Sequence, residues 1–293
     1  MAGRGSGLPI ERLWTAEPAG DGARGVQGAR GGDLPPELAA RFRDRLMVRL
    51  RPDRPTLIAN FVTSVDGVVA LGPPEHSTGG GEISGNSVPD RFVMALLRGL
   101  ADALVVGAGT VRIGRNHEWT ARNLQPALAA VFARWRAEMG LAPQPTTVVV
   151  TASGNVDLAH AGLRAADVPV IVLTTKAGAA QLETRTLPPN LRVVAAGGTR
   201  VLPRSIVELL EAERIRLALC EGGPHLLGEL LAANRLDELF LTVAPQLIGR
   251  PGHLDRLGLV EGVDLMGATG SWGKLAAVHR AGDDLFLRYR LDQ

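Results

Sequence analysis

The sequence has one cysteine, Cys220, and one tyrosine, and aromatic residues make up only 4% of it. A single thiol excludes an intrachain disulfide and a zinc cage built from cysteines, and it fits a reducing compartment. So few aromatics, with no basic stripe among them, argue against a nucleic-acid surface. Long hydrophobic runs are missing too, and none approaches the ~20 residues that cross a bilayer. The N-terminus lacks the basic-then-apolar pattern of a signal peptide, so a cytoplasmic protein with no membrane partner is expected. The histidines show no metal-ligand spacing, and no metal site is expected. No Gly-x-Ser-x-Gly elbow is present, which disfavours that class of hydrolase. Lysine is nearly absent: Lys176 and Lys274 are the only two among 32 basic residues. Against 30 acidic residues this leaves a formal charge of +2 with no block of one sign. The Arg, Ala and Gly richness reads as genomic composition bias.

What is present is a globular composition, 45% apolar over 293 residues, enough for a sizeable core. Residues 1–52 read as an N-terminal extension, rich in Gly, partly flexible and most mobile over Ala16–Gly32, with one helix from Pro36 to Leu50. Residues 53–293 read as a single domain in which strands and helices alternate. Thr56–Thr63, Ala103–Val106, Thr146–Thr151, Pro169–Thr174, Arg192–Ala195, Arg216–Cys220 and Leu239–Ala244 carry β-branched and apolar runs of strand length. Between them, helical patterns open at Ser87-Val88-Pro89-Asp90, Pro126, Lys176, Pro203 and Pro224. Ser87-x-x-Asp90 has the form of an acidic capping box with Pro in the first turn. Lys274–Ala281 and Leu285–Leu291, joined through Gly282-Asp283-Asp284, read as an antiparallel hairpin. The expected fold is therefore α/β, with a mixed, mostly parallel sheet flanked by helices.

Ligands of parallel sheets bind beyond the carboxyl ends of the strands. Two strand-to-helix junctions there are bare of side chains: Gly107-Ala108-Gly109-Thr110 and Glu221-Gly222-Gly223-Pro224. Glycines let backbone amides approach a phosphate, and the following helix adds partial positive charge. A full G-x-G-x-x-G is absent, since Arg112 stands where its last glycine belongs, and each cluster alone is also compatible with a plain tight turn. Thr151 and Ser153 can hold a ribose or its 2′-phosphate, or simply cap a turn. Asp66, in Asp66-Gly67, is a turn residue or a catalytic acid. Asp90 starts a helix and can also face the cleft. Arg98 is a solvated helix arginine or a ligand for substrate phosphate. His225 adjoins the second glycine cluster and can touch phosphate, while Cys220 reads as a small buried residue.

The ordered set Asn60-Phe61-Val62-Thr63-Ser64-Val65-Asp66-Gly67, Asp90-Arg91-Phe92 with Leu96-Leu97-Arg98, Ala103–Arg112, and Glu221-Gly222-Gly223-Pro224 with Leu226-Leu227 and Leu236–Leu239 resembles the riboflavin-pathway pyrimidine reductases. The resemblance spans residues 55–291. It implies a dihydrofolate-reductase-like sheet, a homodimer, NADPH as hydride donor, and reduction of a phosphorylated ribosylaminopyrimidine such as 5-amino-6-(5-phosphoribosylamino)uracil. By the same resemblance Gly107, Gly109, Thr110, Glu221, Gly222, Gly223, Pro224, His225 and Leu226 hold the cofactor, with Thr151 and Ser153 at its adenosine end. Asn60, Ser64, Ser84 and Arg98 would bind substrate, and Asp90 and Asp66 would be catalytic, with Asp90 the leading proton donor. The chain departs from the pattern at Arg112-Ile113-Gly114-Arg115-Asn116-His117, which has no carboxylate, and at the open loop Gly79–Gly85. No Pro-Cys-x-x-Cys deaminase motif occurs, so a stand-alone reductase is expected. Two alternatives share the scaffold: a reductase of another heterocycle, such as a pterin, folate or specialised metabolite, and a catalytically silent nucleotide-binding protein.

Overall fold

The strands that alternate with helices after Thr56 assemble into one eleven-stranded sheet in a computed structural model that describes residues 4–5, 7–16, 28–72, 80–114, 117–266 and 271–291. Across the sheet run Leu191–Ala196, Val170–Thr175, Thr146–Val150, Ala103–Gly107, Leu217–Cys220, Thr56–Ser64 and Glu238–Ala244, each parallel to its neighbour. Asp284–Leu291, Gly273–Ala281 and Ile10–Thr15 continue it in antiparallel pairing, and the short Phe42–Arg43 strand closes the edge. The mixed, mostly parallel sheet with its C-terminal hairpin is thus as expected. Gly282 turns that hairpin at φ +58°, a conformation glycine adopts without steric penalty.

Thr56–Ser64 lies at the middle of the sheet, buried at every residue but Phe61. Its side chains alternate between two cores, as a strand covered on both faces must. Ile58 joins one core with Phe92, Leu96, Phe132 and Trp135, from the helices Val88–Leu100 and Ala129–Glu138. Leu57 and Ala59 join the other with Ile206, Leu210, Leu227 and Leu230, from the helices Pro203–Ala212 and Pro224–Ala232. Burying each of these large side chains contributes roughly 1.5–3 kcal/mol. Among the described residues, no helix is long and apolar enough to cross a membrane.

Residues 1–52 depart from expectation. The helix stops at Ala39, and Leu46–Arg49 is a strand paired with Ala29–Gly32. Leu46 and Val48 point inward while Met47 and Arg49 do not, so a period of two wins once a partner strand is available. Ile10–Thr15 is hydrogen-bonded to Gly273–Ala281, which makes this segment part of the main sheet. Most of the stretch expected to be mobile, residues 17–27, lies outside the described residues. The expected Gly79–Gly85 loop contains a short helix, Gly80–Ser84.

Candidate active site

Two side-chain-poor corners stand next to each other. Ala103–Gly107 and Leu217–Cys220 are adjacent, with Cys220 opposite Val105, and the Glu221 amide donates to the Val105 carbonyl at 3.1 Å. Each chain then turns into a helix, Ala108–Ile113 after Gly107 and Pro224–Ala232 after Gly223. A Cβ placed on Gly107 or Gly223 would meet nothing within 4 Å, and one on Gly109 would meet only Arg112 at 3.8 Å. The space beyond Gly107, Gly109 and Gly223 is open, as a diphosphate lying against backbone amides would require. Gly222 is bare for another reason, because a Cβ there would come within 2.5 Å of Leu226. Pro224 occupies the first helical turn, where its missing donor is harmless. Thr151 follows the next strand outward, its amide bonded to the Leu173 carbonyl at 3.1 Å, and Ser153 is exposed beyond it, accepting from the Asn155 amide at 3.2 Å. His225 is exposed on the first turn of its helix.

The Val88–Leu100 helix flanks these corners. Ser87 caps it, accepting from the Asp90 amide at 3.2 Å, so half of the expected capping box forms. The Asp90 carboxyl turns away to Thr242 and Ser84 instead. Asp90 is 4% exposed, and its pKa is pushed up to about 6. Burial is the largest cause; the Thr242 hydrogen bond opposes it, while the Asp284 and Glu221 carboxylates push in the same direction as burial. This makes Asp90 a carboxyl group able to hold a proton near neutral pH.

Arg98 lies two turns along the same helix and does not offer a free charge to substrate. Its guanidinium is 2% exposed and forms a buried pair with Glu221 at 2.7 Å. The remaining donors reach the Glu118 carbonyl at 3.1 Å and His117 Nε2 at 2.7 Å. The arginine therefore joins the helix to the second glycine corner, correcting its expected role as a substrate ligand. Burial and then Arg98 itself push His117 down to about 3, which keeps its imidazole neutral as the acceptor. At the helix C-terminus, Arg136 donates to the carbonyls of Arg98, Gly99 and Ala101, occupying acceptors that a helix end leaves open.

Asp66 is a second correction. It accepts from Ser64 Oγ at 2.6 Å and from the Gly249 and Ile248 amides at 2.6 and 3.1 Å. The Ser64 bond first, and then those amides, hold it down at about 2, so it is an ionised tie between two loops and no proton donor. Ser64 also accepts from the Val68 amide at 2.9 Å, which places it in the turn rather than against substrate. Ser84 is buried beside Asp90, and its carbonyl accepts from Arg4 at 3.0 Å. Asn60 is buried and, with Thr242, lines a cavity of about 550 Å³ that reaches Phe42, Met47, Phe286 and Arg288. Neither Asp90 nor the glycine corners line that cavity. Sequence reading missed Thr242, His117, Asp284 and Arg4. For Thr242 a signal existed: it is a polar residue at an inward position of the alternating strand Glu238–Ala244. The others meet the site only through long-range contacts.

Residues 55–268 match the family model described as the RibD C-terminal domain. The chain is 27% identical over 238 residues to the 2,5-diamino-6-ribosylamino-4(3H)-pyrimidinone 5′-phosphate reductase of Methanothermobacter thermautotrophicus, covering 80% of this chain and 98% of that protein. It is 27% identical over 272 residues to the riboflavin biosynthesis protein RibD of Mycobacterium tuberculosis, covering 90% of this chain and 62% of that one. The crystal structure of a pyrimidine reductase-like protein from Corynebacterium diphtheriae shares the fold, with a TM-score of 0.64 at 21% identity, over 82% of this chain and 92% of that one. Acinetobacter baumannii RibD shares it at a TM-score of 0.59 and 19% identity, over 82% of this chain and 59% of that one. With nearly three-quarters of its length matched in one continuous stretch, this chain belongs to the RibD C-terminal domain family.

Proposed function

We propose that this protein is an NADPH-dependent reductase of a phosphorylated ribosylaminopyrimidine, the kind of substrate for which its archaeal relative is named. The observation that carries the reading is the convergence of two unobstructed glycine corners next to a buried carboxyl group whose proton affinity is raised by burial. Gly107, Gly109 and Gly223 would present amides to the diphosphate, and Thr151 and Ser153 would face the adenosine end. NADPH, when bound, supplies the hydride. A side-chain acid or a bound water must deliver the accompanying proton, because reducing an open-chain imine at the sugar C1′ places hydride on carbon and a proton on nitrogen. Asp90 is held for that task by Thr242 and Ser84, and Arg98–Glu221 fixes the corner relative to its helix.

The test is consumption of NADPH with 5-amino-6-(5-phosphoribosylamino)uracil, set beside a panel of dihydropterins and dihydrofolate. Turnover of the ribosylaminopyrimidine supports the reading. Turnover of only another heterocycle would move the assignment to a paralogous reductase, a reading favoured by the carboxylate-free stretch from Arg112 to His117. Tight NADPH binding with no hydride transfer to any of them would leave a silent nucleotide-binding protein. A separate expectation concerns the corners alone: Gly107→Ala combined with Gly223→Ala should fold normally, since neither Cβ meets a neighbour. Its NADPH affinity should fall about 10–100-fold, the scale of losing charge-assisted hydrogen bonds. A fluorescence titration giving wild-type affinity would remove the corners from the cofactor site.

A further inference from the structure

We propose that Arg4 and Asp284 act together as positioning residues that set the charge felt by Asp90, making the N-terminal arm a working part of the site. The inference rests on the reading of Asp90 as proton donor. Arg4 lies outside the family-matched residues, which begin at residue 55, yet it reaches three of the pieces that enclose Asp90. Its guanidinium pairs with the Asp284 carboxylate and donates to the Ser84 carbonyl at 3.0 Å. Its own carbonyl accepts from the amide of Val88, the first residue of the Asp90 helix, at 2.9 Å. Gly5 follows against Pro89, where a Cβ would lie 3.1 Å from the proline ring.

Asp284 completes the link. It is 2% exposed, and its Oδ2 accepts from Ser87 Oγ at 2.7 Å, the same hydroxyl that caps the Asp90 amide. Two carboxylates face Asp90 from other elements, Glu221 from the second glycine corner and Asp284 from the start of the last strand. Thr242 and Ser84 are its neutral partners, and Arg91 is the next residue on its own helix. Each facing carboxylate has one arginine of its own: Arg98 pairs with Glu221, and Arg4 pairs with Asp284. The Arg98 pair is sealed inside the fold, whereas the Arg4 side chain is 38% exposed. Both carboxylates raise the proton affinity of Asp90, so removing Arg4 should strengthen that effect and removing the Asp284 charge should weaken it.

The experiment uses the full chain with Arg4→Ala, Arg4→Lys and Asp284→Asn, and it has two readouts. One is the pH dependence of kcat/KM. The other is the carboxyl carbon NMR titration of Asp90 in ligand-free protein, assigned by its loss in Asp90→Asn. A proton donor loses activity as pH rises through its pKa. Arg4→Ala should move that fall, and the NMR midpoint, to higher pH by about one unit, and Asp284→Asn should move both to lower pH by a similar amount. Arg4→Lys should return both toward wild type. Displacements of opposite sign cannot come from a merely loosened structure. Unchanged NMR midpoints, or shifts of the same sign in Arg4→Ala and Asp284→Asn, would overturn the proposal. Opposite NMR shifts with an unmoved rate profile would uphold the charge coupling and overturn Asp90 as proton donor.

Discussion

Asp90→Asn is expected to lower kcat by about 10²–10⁴-fold, the range for losing a positioned general acid, while the protein stays folded. The substitution keeps the shape of the side chain and can preserve a hydrogen bond to Thr242, but it carries no transferable proton. Stability provides the control. The folded pKa of about 6 lies above the ordinary value of 3.8, so folding favours the protonated carboxyl. The native state then binds the extra proton, so the contribution of Asp90 to stability falls as pH rises from about 4 through about 6, against the opposite contribution of His117, which is kept neutral in the folded protein. A shift of this size corresponds to roughly 3 kcal/mol. Asp90→Asn lacks that contribution, so its stability relative to wild type should rise as pH rises through that window, and it should be at least as stable as wild type at pH 7. Thermal melts at several pH values beside steady-state turnover give both answers. Full activity in a stable Asp90→Asn protein would exclude the residue from catalysis, and a destabilised one would mean that the carboxyl is needed for folding.

The second large effect falls on stability. Arg98→Ala should destabilise the protein by about 3–5 kcal/mol, because Glu221 would be left as a buried carboxylate without a counter-charge. The side chains are 2% and 8% exposed, so water cannot readily replace the arginine. The same change deprives His117 and the Glu118 carbonyl of their donor. Pairing Arg98→Met with Glu221→Gln should recover part of the loss, since the unpaired charge disappears and most of the volume is kept. Urea denaturation of the single and double variants measures both. If Arg98→Ala alone shifts the free energy by less than about 1 kcal/mol, the pair behaves as an exposed ion pair and does not anchor the glycine corner.

Much of the architecture was legible because its signals are local. Apolar runs of strand length, prolines at helix starts and glycines after strands marked the parallel core, the hairpin and both corners, and the signals for all of these lie in residues close in sequence. The capping Ser87 and the open Gly107 and Gly223 belong to this class. The N-terminal segment was misread where local and distant preferences compete. Pro36–Leu50 has a helical pattern, but Leu46–Arg49 gains a partner strand that no window on the sequence shows.

The sequence by itself determined the strands and helices of the parallel core, the hairpin and the two glycine corners, because periodicity, glycine freedom and proline stereochemistry act over a few residues. Only the tertiary structure decided what each charge does. Arg98 meets Glu221 across 123 positions and Arg4 meets Asp284 across 280, while Asp66 closes on a loop some 180 residues away. Whether a carboxyl group is a tie, a counter-ion or a proton store depends on its burial and on the charges facing it, and both exist only once the chain is packed.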